Sequence, residues 1–417
     1  MSKLNKKKYS NADKCTHCGY CLPVCPTYRV ENQEMQSPRG RVSIVLAMVR
    51  GAIPQEQAVE ALSHCISCRA CHGACPVGVR PGKLALQARS LAPLKPGVWD
   101  RLLHWITDSP KRTTAASHLL SLYVRSGLQA LLRPLFKLVP PFARFERLIP
   151  AHRPLAPRML PQPPADAPVV ALLGGCMARL FLPHVGMSAK ALLQSLGYRV
   201  VTPKGFGCCG APSRENGDRE GFQRSVRSTL DAFGALDGVE AVITDSSVCT
   251  ITARSYDKTM ARDVEYKELA EVFSAKVMDL STFLAEHHRK WQQAADDPGL
   301  GVLGFHDHCQ LRHGLGTVSE PRALLQQLPV PAVEIPGDGF CCGAGGTYML
   351  RYPSRSRAIR DLKLGELEAS GAETIVAGNP GCLINLQAGL AEEGSPVKVR
   401  HMAEVLWQAR KGNLPIS

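Results

Sequence analysis

Two stretches of the sequence, CTHCGYCLPVCP at 15–26 and CISCRACHGACP at 65–76, set four cysteines at intervals of three, three and four residues and close with a proline. Thiolate sulfur is a soft metal ligand, and the run C-x2-C-x2-C-x3-C-P is the one that holds cubane 4Fe-4S clusters in pairs. Three closely spaced thiolates converge on one face of a cube, and the fourth is carried away to the other cluster. The spacing therefore predicts one cluster on Cys15, Cys18, Cys21 and Cys75, and a second on Cys65, Cys68, Cys71 and Cys25. A zinc site would want paired C-x2-C knuckles without the third and fourth cysteines at these offsets. Two such clusters in one small module pass single electrons and make or break no bonds.

Eight more cysteines form a second pattern, Cys176, Cys208, Cys209 and Cys249, then Cys309, Cys341, Cys342 and Cys382. Each member of the later set lies 133 residues after its counterpart. The doublets read FGCCGAP and FCCGAGG, and LLQSL at 192–196 is answered by LLQQL at 324–328. This is an internal duplication. Four thiolates per repeat suit a further cubane cluster or a zinc ion.

The elements that must carry these thiols follow from local pattern. In SPRGRVSIVLAMVRG, Ser37 is a helix N-cap, Pro38 fits the first turn, and Val42, Val45, Leu46 and Val49 recur at helical spacing. Gly51 ends that helix, and another runs from Pro54 toward Leu62. The first module is thus helical. In each repeat an apolar strand (PVVALLGGC or GVLGFHDHC), a helix, a second strand (YRVVTP or PAVEIP), the CCG turn and a further helix lead to a third strand, VEAVITDSSVC or AETIVAGNPGC. Strands alternating with helices predict a mostly parallel sheet, with all four cysteines just beyond strand ends. The glycine after each doublet is read as letting the backbone approach a cluster.

The expected architecture is α+β and multidomain: a helical two-cluster ferredoxin-type module at 1–95, a basic amphipathic helical segment at 96–150, a proline-rich linker at 151–167, and α/β repeats at 168–298 and 299–417. The segment containing HLLSLYVRSGLQALLRPLFKLVPPFARF has Arg125, Arg133, Lys137 and Arg144 beside a long apolar face. It reads either as an interfacial helix on anionic lipid or, the preferred reading, as a helix packed on the ferredoxin module with its basic side in water.

The chain has 417 residues, 45% of them hydrophobic and 21% charged, which are ordinary values for a globular protein of two or three domains. The N-terminus MSKLNKKKYSNADK has no apolar stretch of a secretory signal, so the thiols are expected in the reducing cytoplasm as ligands, not disulfides. The formal charge of +14 is scattered and no nucleic-acid-binding motif accompanies it, so acidic partners or anionic lipid are preferred over nucleic acid. GAGG at 343–346 lacks the frame of a dinucleotide fingerprint, and no flavin is expected on this chain. His306, His308 and His313 flank Cys309 and are read as hydrogen-bonded scaffold, with a mixed Cys/His zinc site as the alternative. Arg39 and Arg41 are read either as a partner contact or as packing around the first cluster.

CCG repeats behind a two-cluster module resemble the glycolate oxidase iron-sulfur subunit family, related to D-lactate and anaerobic glycerol-3-phosphate dehydrogenase iron-sulfur subunits and to heterodisulfide reductase. The resemblance rests on SPRGR at 37–41, CCGAGGTY at 341–348 and NPGC at 379–382; the family's H-x-P-C-x-L-x-H stands here as HDHCQLRH, with His308 in place of proline. It implies an electron-transfer subunit that receives electrons from an FAD-containing hydroxyacid dehydrogenase and passes them to quinone or another membrane acceptor. The FAD would lie in the partner, no catalytic residue is expected here, and contact with the inner face of the cytoplasmic membrane would be peripheral. Heterodisulfide reductase ends each repeat in C-x2-C, whereas Ser246 and Asn379 take the first position of that pair here. That departure points away from disulfide cleavage and toward relay.

Overall fold

The computed structural model describes residues 6–411 apart from 93, 95, 96, 137, 151–153, 155, 156, 158, 159, 288–297 and 338. Lys137 and much of the expected linker thus lie outside the described residues. The N-terminal module is helical as expected, with helices Pro26–Glu31, Pro38–Val49, Gln55–Ser63, Ala70–Gly73 and Pro81–Arg89. Ser37 caps the second of these by accepting from the Gly40 amide at 2.9 Å. Val42, Val45, Met48, Leu62 and Leu84 form its core.

Two four-stranded parallel sheets follow. In the first, β1 (Val169–Leu173), β2 (Arg199–Val201), β3 (Val239–Thr244) and β4 (Val277–Asp279) lie in the order β2-β1-β3-β4. In the second, β5 (Leu303–Phe305), β6 (Ala332–Glu334), β7 (Thr374–Ala377) and β8 (Lys398–His401) repeat it as β6-β5-β7-β8. The fourth strand of each sheet goes beyond the sequence reading. It is only three or four residues long, too short for a periodic signal.

The repeats clasp one another. Helix Leu280–His287 closes the first repeat but packs on Ser319–Leu325 of the second, and Met402–Lys411 closes the second but packs on Pro183–Ser195 of the first. One apolar cluster spans both, with Val170, Leu192, Ile243 and Phe283 meeting Leu303, Leu324, Leu406 and Trp407. Burying both sets in one core makes the pair a single folding body.

Between module and repeats, helices Val98–Thr107, Pro110–Arg125, Leu128–Phe136 and Pro140–Glu146 form the amphipathic segment. The expectation that it packs on the ferredoxin module is corrected. Its apolar side, including Leu103, Leu120 and Phe145, packs on Leu180, Phe181 and residues of the second repeat. Arg351 pairs with buried Asp100 at 3.1 Å. Among the described residues no helix is long and apolar enough to cross a membrane.

Candidate metal centres

Cys15, Cys18, Cys21 and Cys75 line one small cavity; Cys25, Cys65, Cys68 and Cys71 line another. The crossed grouping read from the spacing is therefore the grouping in space. None of the sixteen cysteines is in a disulfide. Cys18 is exposed and its three companions are half-buried, whereas the four thiols of the inner cavity are all buried.

The two loops share a backbone device. His17 (φ 56°) and Gly19 (φ 90°) bracket Cys18, while Ser67 (φ 59°) and Arg69 (φ 66°) bracket Cys68 in the same left-handed conformation. Alternation of left- and right-handed residues turns successive amides to one side and makes a cradle for negative charge. Non-glycine residues held this way cost about 1–3 kcal/mol each and persist where the surroundings fix them. For the Cys68 loop the surroundings are the repeats: Ser67 Oγ donates to Glu215 at 2.6 Å, and Gln310 donates to the Ser67 carbonyl at 2.8 Å. Arg89, buried, donates to the carbonyls of Leu62 and Ser63 and pairs with Glu215 at 3.5 Å. Four thiols around one small cavity, on a loop of this conformation, fit a cubane iron-sulfur cluster.

Arg41 is buried beside the inner cavity, 3.6 Å from Cys25 Sγ and 2.7 Å from Thr27 Oγ1. Burial opposes its charge, but the thiols of Cys65, Cys25 and Cys71 outweigh that and raise its pKa. It belongs to the second site, not the first. Arg39 instead lines the outer cavity, donating to the His17 carbonyl at 3.0 Å and to Glu34 at 2.7 Å. Both arginines serve the packing of the loops.

In the repeats the thiols line up in matching order. Cys309 and Cys341 Sγ lie 4.0 Å apart and Cys342 and Cys382 Sγ 2.9 Å apart. In the first repeat Cys208 contacts Cys176 and Cys209, and Cys209 contacts Cys249. Hydrogen bonds from Cys208 and Cys249 hold the Cys209 thiol well below its ordinary range. All eight are buried, gathered at strand ends and first helical turns, where Cys382 sits in the opening turn of Pro380–Glu393. The glycine after each doublet has a steric reason as well, and the Gly210 amide lies 3.4 Å from Cys208 Sγ. Gly210 (φ 82°) and Gly343 (φ 79°) adopt left-handed turns in which a Cβ would strike Phe222 at 2.6 Å and the Ser356 carbonyl oxygen at 2.4 Å.

The inner cavity touches the second repeat. Cys68, Cys309 and Cys341 share one apolar cluster with Ile66, Phe340 and Tyr348. Burial first, then the neighbouring thiols Cys309, Cys71 and Cys25, push the Cys68 thiol far up. A thiolate at this crossing needs metal to persist. Thiol sites thus succeed one another from the surface at Cys18 through Cys25 and Cys68 to Cys309.

Comparison with known proteins gives this arrangement a family. Residues 11–79 match a family model described as a 4Fe-4S dicluster domain, and 170–254 and 303–387 match the cysteine-rich CCG domain. A probable glycolate oxidase iron-sulfur subunit of Bacillus subtilis (strain 168) is 35% identical over 95% of this chain and 93% of its own. The chain belongs to the glycolate oxidase iron-sulfur subunit family. Another relative, the glycolate oxidase iron-sulfur subunit of Escherichia coli (strain K12), is 30% identical over the same shares of the two chains. Lactate utilization protein A of Geobacillus kaustophilus (strain HTA426) is 30% identical over 57% of this chain and 98% of its own.

Sequence reasoning about this family member missed Arg89, Glu215, Gln310 and Tyr352, whose hydroxyl meets Ser63 Oγ. They fasten the Cys65–Cys71 loop to both repeats, and nothing local marks them. His308 is scaffold as expected, its Nε2 2.7 Å from Ser247 Oγ.

Proposed function

We propose that this chain relays electrons from an FAD-containing hydroxyacid dehydrogenase to quinone or another membrane acceptor, with glycolate the first candidate substrate of the complex and D-lactate the second. As a member of its family the chain is the iron-sulfur electron-transfer subunit of a hydroxyacid oxidase. The observation that carries the relay is the unbroken succession of thiol sites from exposed Cys18 to buried Cys309. In this reading Cys15, Cys18, Cys21 and Cys75 hold one 4Fe-4S cluster, and Cys25, Cys65, Cys68 and Cys71 hold the other. Cys176, Cys208, Cys209 and Cys249, and likewise Cys309, Cys341, Cys342 and Cys382, hold a further cluster or zinc. Bound clusters supply one-electron transfer. The protein buries them, aims amides at them and places Arg41 beside the inner one, which favours the reduced, more negative state.

The units 1–95, 96–150, 151–167, 168–298 and 299–417 belong to the same proposal, and family matches fall inside the first, fourth and fifth of them. So does peripheral contact with the inner face of the cytoplasmic membrane. Leu119, Leu122, Leu131, Leu135 and Leu138 of the amphipathic segment are all exposed, Leu138 to 79%. Arg125 and Arg144 stand among them, while Arg133 is paired with Glu146 at 2.9 Å. Exposed leucines beside these cations fit anionic lipid headgroups.

The purified chain is expected to oxidise no glycolate and bind no flavin by itself, and to restore substrate-driven reduction of a quinone analogue when its flavoprotein is added. Glycolate oxidation by the chain alone would end the relay reading.

A further inference from the structure

The second repeat buries a ring that the fold does not use. His306 follows β5 directly, is 0% exposed, and neither ring nitrogen has a hydrogen-bond partner among the described residues. A buried polar group without a partner is costly and calls for an explanation. A ring nitrogen of His306, Cys342 Sγ and Cys382 Sγ all lie within 4.8 Å of one another. Among the described residues no such histidine–dithiol group recurs in the first repeat. The residue 133 positions earlier is Leu173, buried at the end of β1, in an otherwise matching set of four thiols.

We propose that His306 gives a ring nitrogen to the metal of the second repeat, making a mixed nitrogen–sulfur site with Cys342 and Cys382, while the first repeat binds through thiolates alone. This rests on the reading above that the repeats hold metal. Cys309 and Cys341 supply sulfur from the side that faces Cys68. Imidazole is neutral where thiolate is anionic. An iron bound through it accepts an electron at a higher potential than an iron bound through sulfur alone. With zinc, imidazole and thiolate are equally at home, and the site is structural. In either case the duplicated halves are chemically different, and the half in contact with the electron path carries the nitrogen.

The test uses the full chain purified without oxygen. X-ray absorption at the iron and zinc edges is expected to show imidazole scattering at one of them. The edge tells cluster from zinc, and for iron a directly bonded nitrogen coupling in pulsed paramagnetic resonance changes on 15N-histidine labelling. His306→Leu, which copies the first repeat's side chain, should abolish that nitrogen signature and leave the iron of the N-terminal module unchanged. Sulfur-only coordination at both edges in the wild-type protein overturns the inference, whether or not the variant folds. So does a nitrogen signature that survives His306→Leu. If Cys342→Ser lowers metal content while His306→Leu changes nothing, only the role of His306 is lost. If Cys342→Ser leaves iron and zinc unchanged, the metal-site reading falls and takes this inference with it.

Discussion

The Ser246 hydroxyl donates to the side-chain oxygen of Asn379 at 2.9 Å, joining the same position of the two repeats across their boundary. The Asn379 amide turns the other way and donates to Cys382 Sγ at 3.4 Å. The two places where a C-x2-C pattern would put extra thiols are instead occupied by a polar bridge. That bridge ties the repeats together and steadies one thiol.

Loss of this bridge should weaken the clasp without emptying the sites. Ser246→Ala leaves the Asn379 oxygen unpaired in a buried interface, at a cost of about 1–3 kcal/mol. Denaturant unfolding should show the loss, with iron and zinc content unchanged. A metal content that falls with Ser246→Ala at full stability would mean that the serine acts on the metal site itself.

Cys75 is distant in sequence from Cys15, Cys18 and Cys21 but lines the same cavity. Cys75→Ser should therefore damage the outer cluster and spare the inner one. Paramagnetic resonance of the reduced protein reads this directly, because the interaction between two reduced clusters disappears and one signal remains. Damage confined to the site of Cys65, Cys68 and Cys71 would reverse the assignment.

Leu122→Glu combined with Leu131→Glu places two charges on the exposed leucine face. Co-sedimentation with anionic phosphatidylglycerol vesicles should fall by about tenfold or more, since a buried apolar side chain contributes on the order of 1.5–3 kcal/mol. Electron delivery to a soluble acceptor dye should not change. Equal sedimentation of variant and wild type would assign the face to another partner.

His401 joins the repeats at the same boundary, through the residue next to Ser246. Its Nε2 donates to the Asp245 carbonyl at 2.9 Å while Nδ1 accepts from the Ala403 amide at 3.1 Å, an arrangement open only to the neutral ring. Burial holds its pKa below the ordinary 6.5, with Asp245 and Glu404 pulling the other way. The unfolded chain therefore takes up the proton first, and stability present above about pH 6.5 is lost as pH falls toward the folded value. The slope is at most about 1.4 kcal/mol per pH unit. Asp279, raised by burial to about 6, works with the opposite sign at lower pH. His401→Gln keeps a donor for Asp245 without a titrating ring, so unfolding between pH 7 and 5.5 should lose that part of its pH dependence. An identical profile in the variant would remove His401 from the account.

Much of this was legible from spacing. Cysteine intervals marked out the crossed cavities and the duplication, because ligand geometry is written in short offsets. Ser37 and Pro38 gave the start of their helix for the same reason. Residues whose roles depend on distant partners were not legible: Arg89 with Glu215, the exchanged closing helices, and the turn of the amphipathic segment toward the repeats. The steric need for glycine at 210 was not legible either, because Phe222, which excludes a side chain there, comes from another helix.

Exposure runs steeply along the thiol sites, from open Cys18 to the sealed interior of the repeats. Sulfur oxidation follows access. Oxygen and peroxide thus meet this protein at one end, and wear begins there. An aged molecule would keep its inner metal and its fold, yet be cut off at the outer contact. Iron content would then overstate the working fraction of any preparation handled in air, and repair in the cell would need to rebuild only the surface loop.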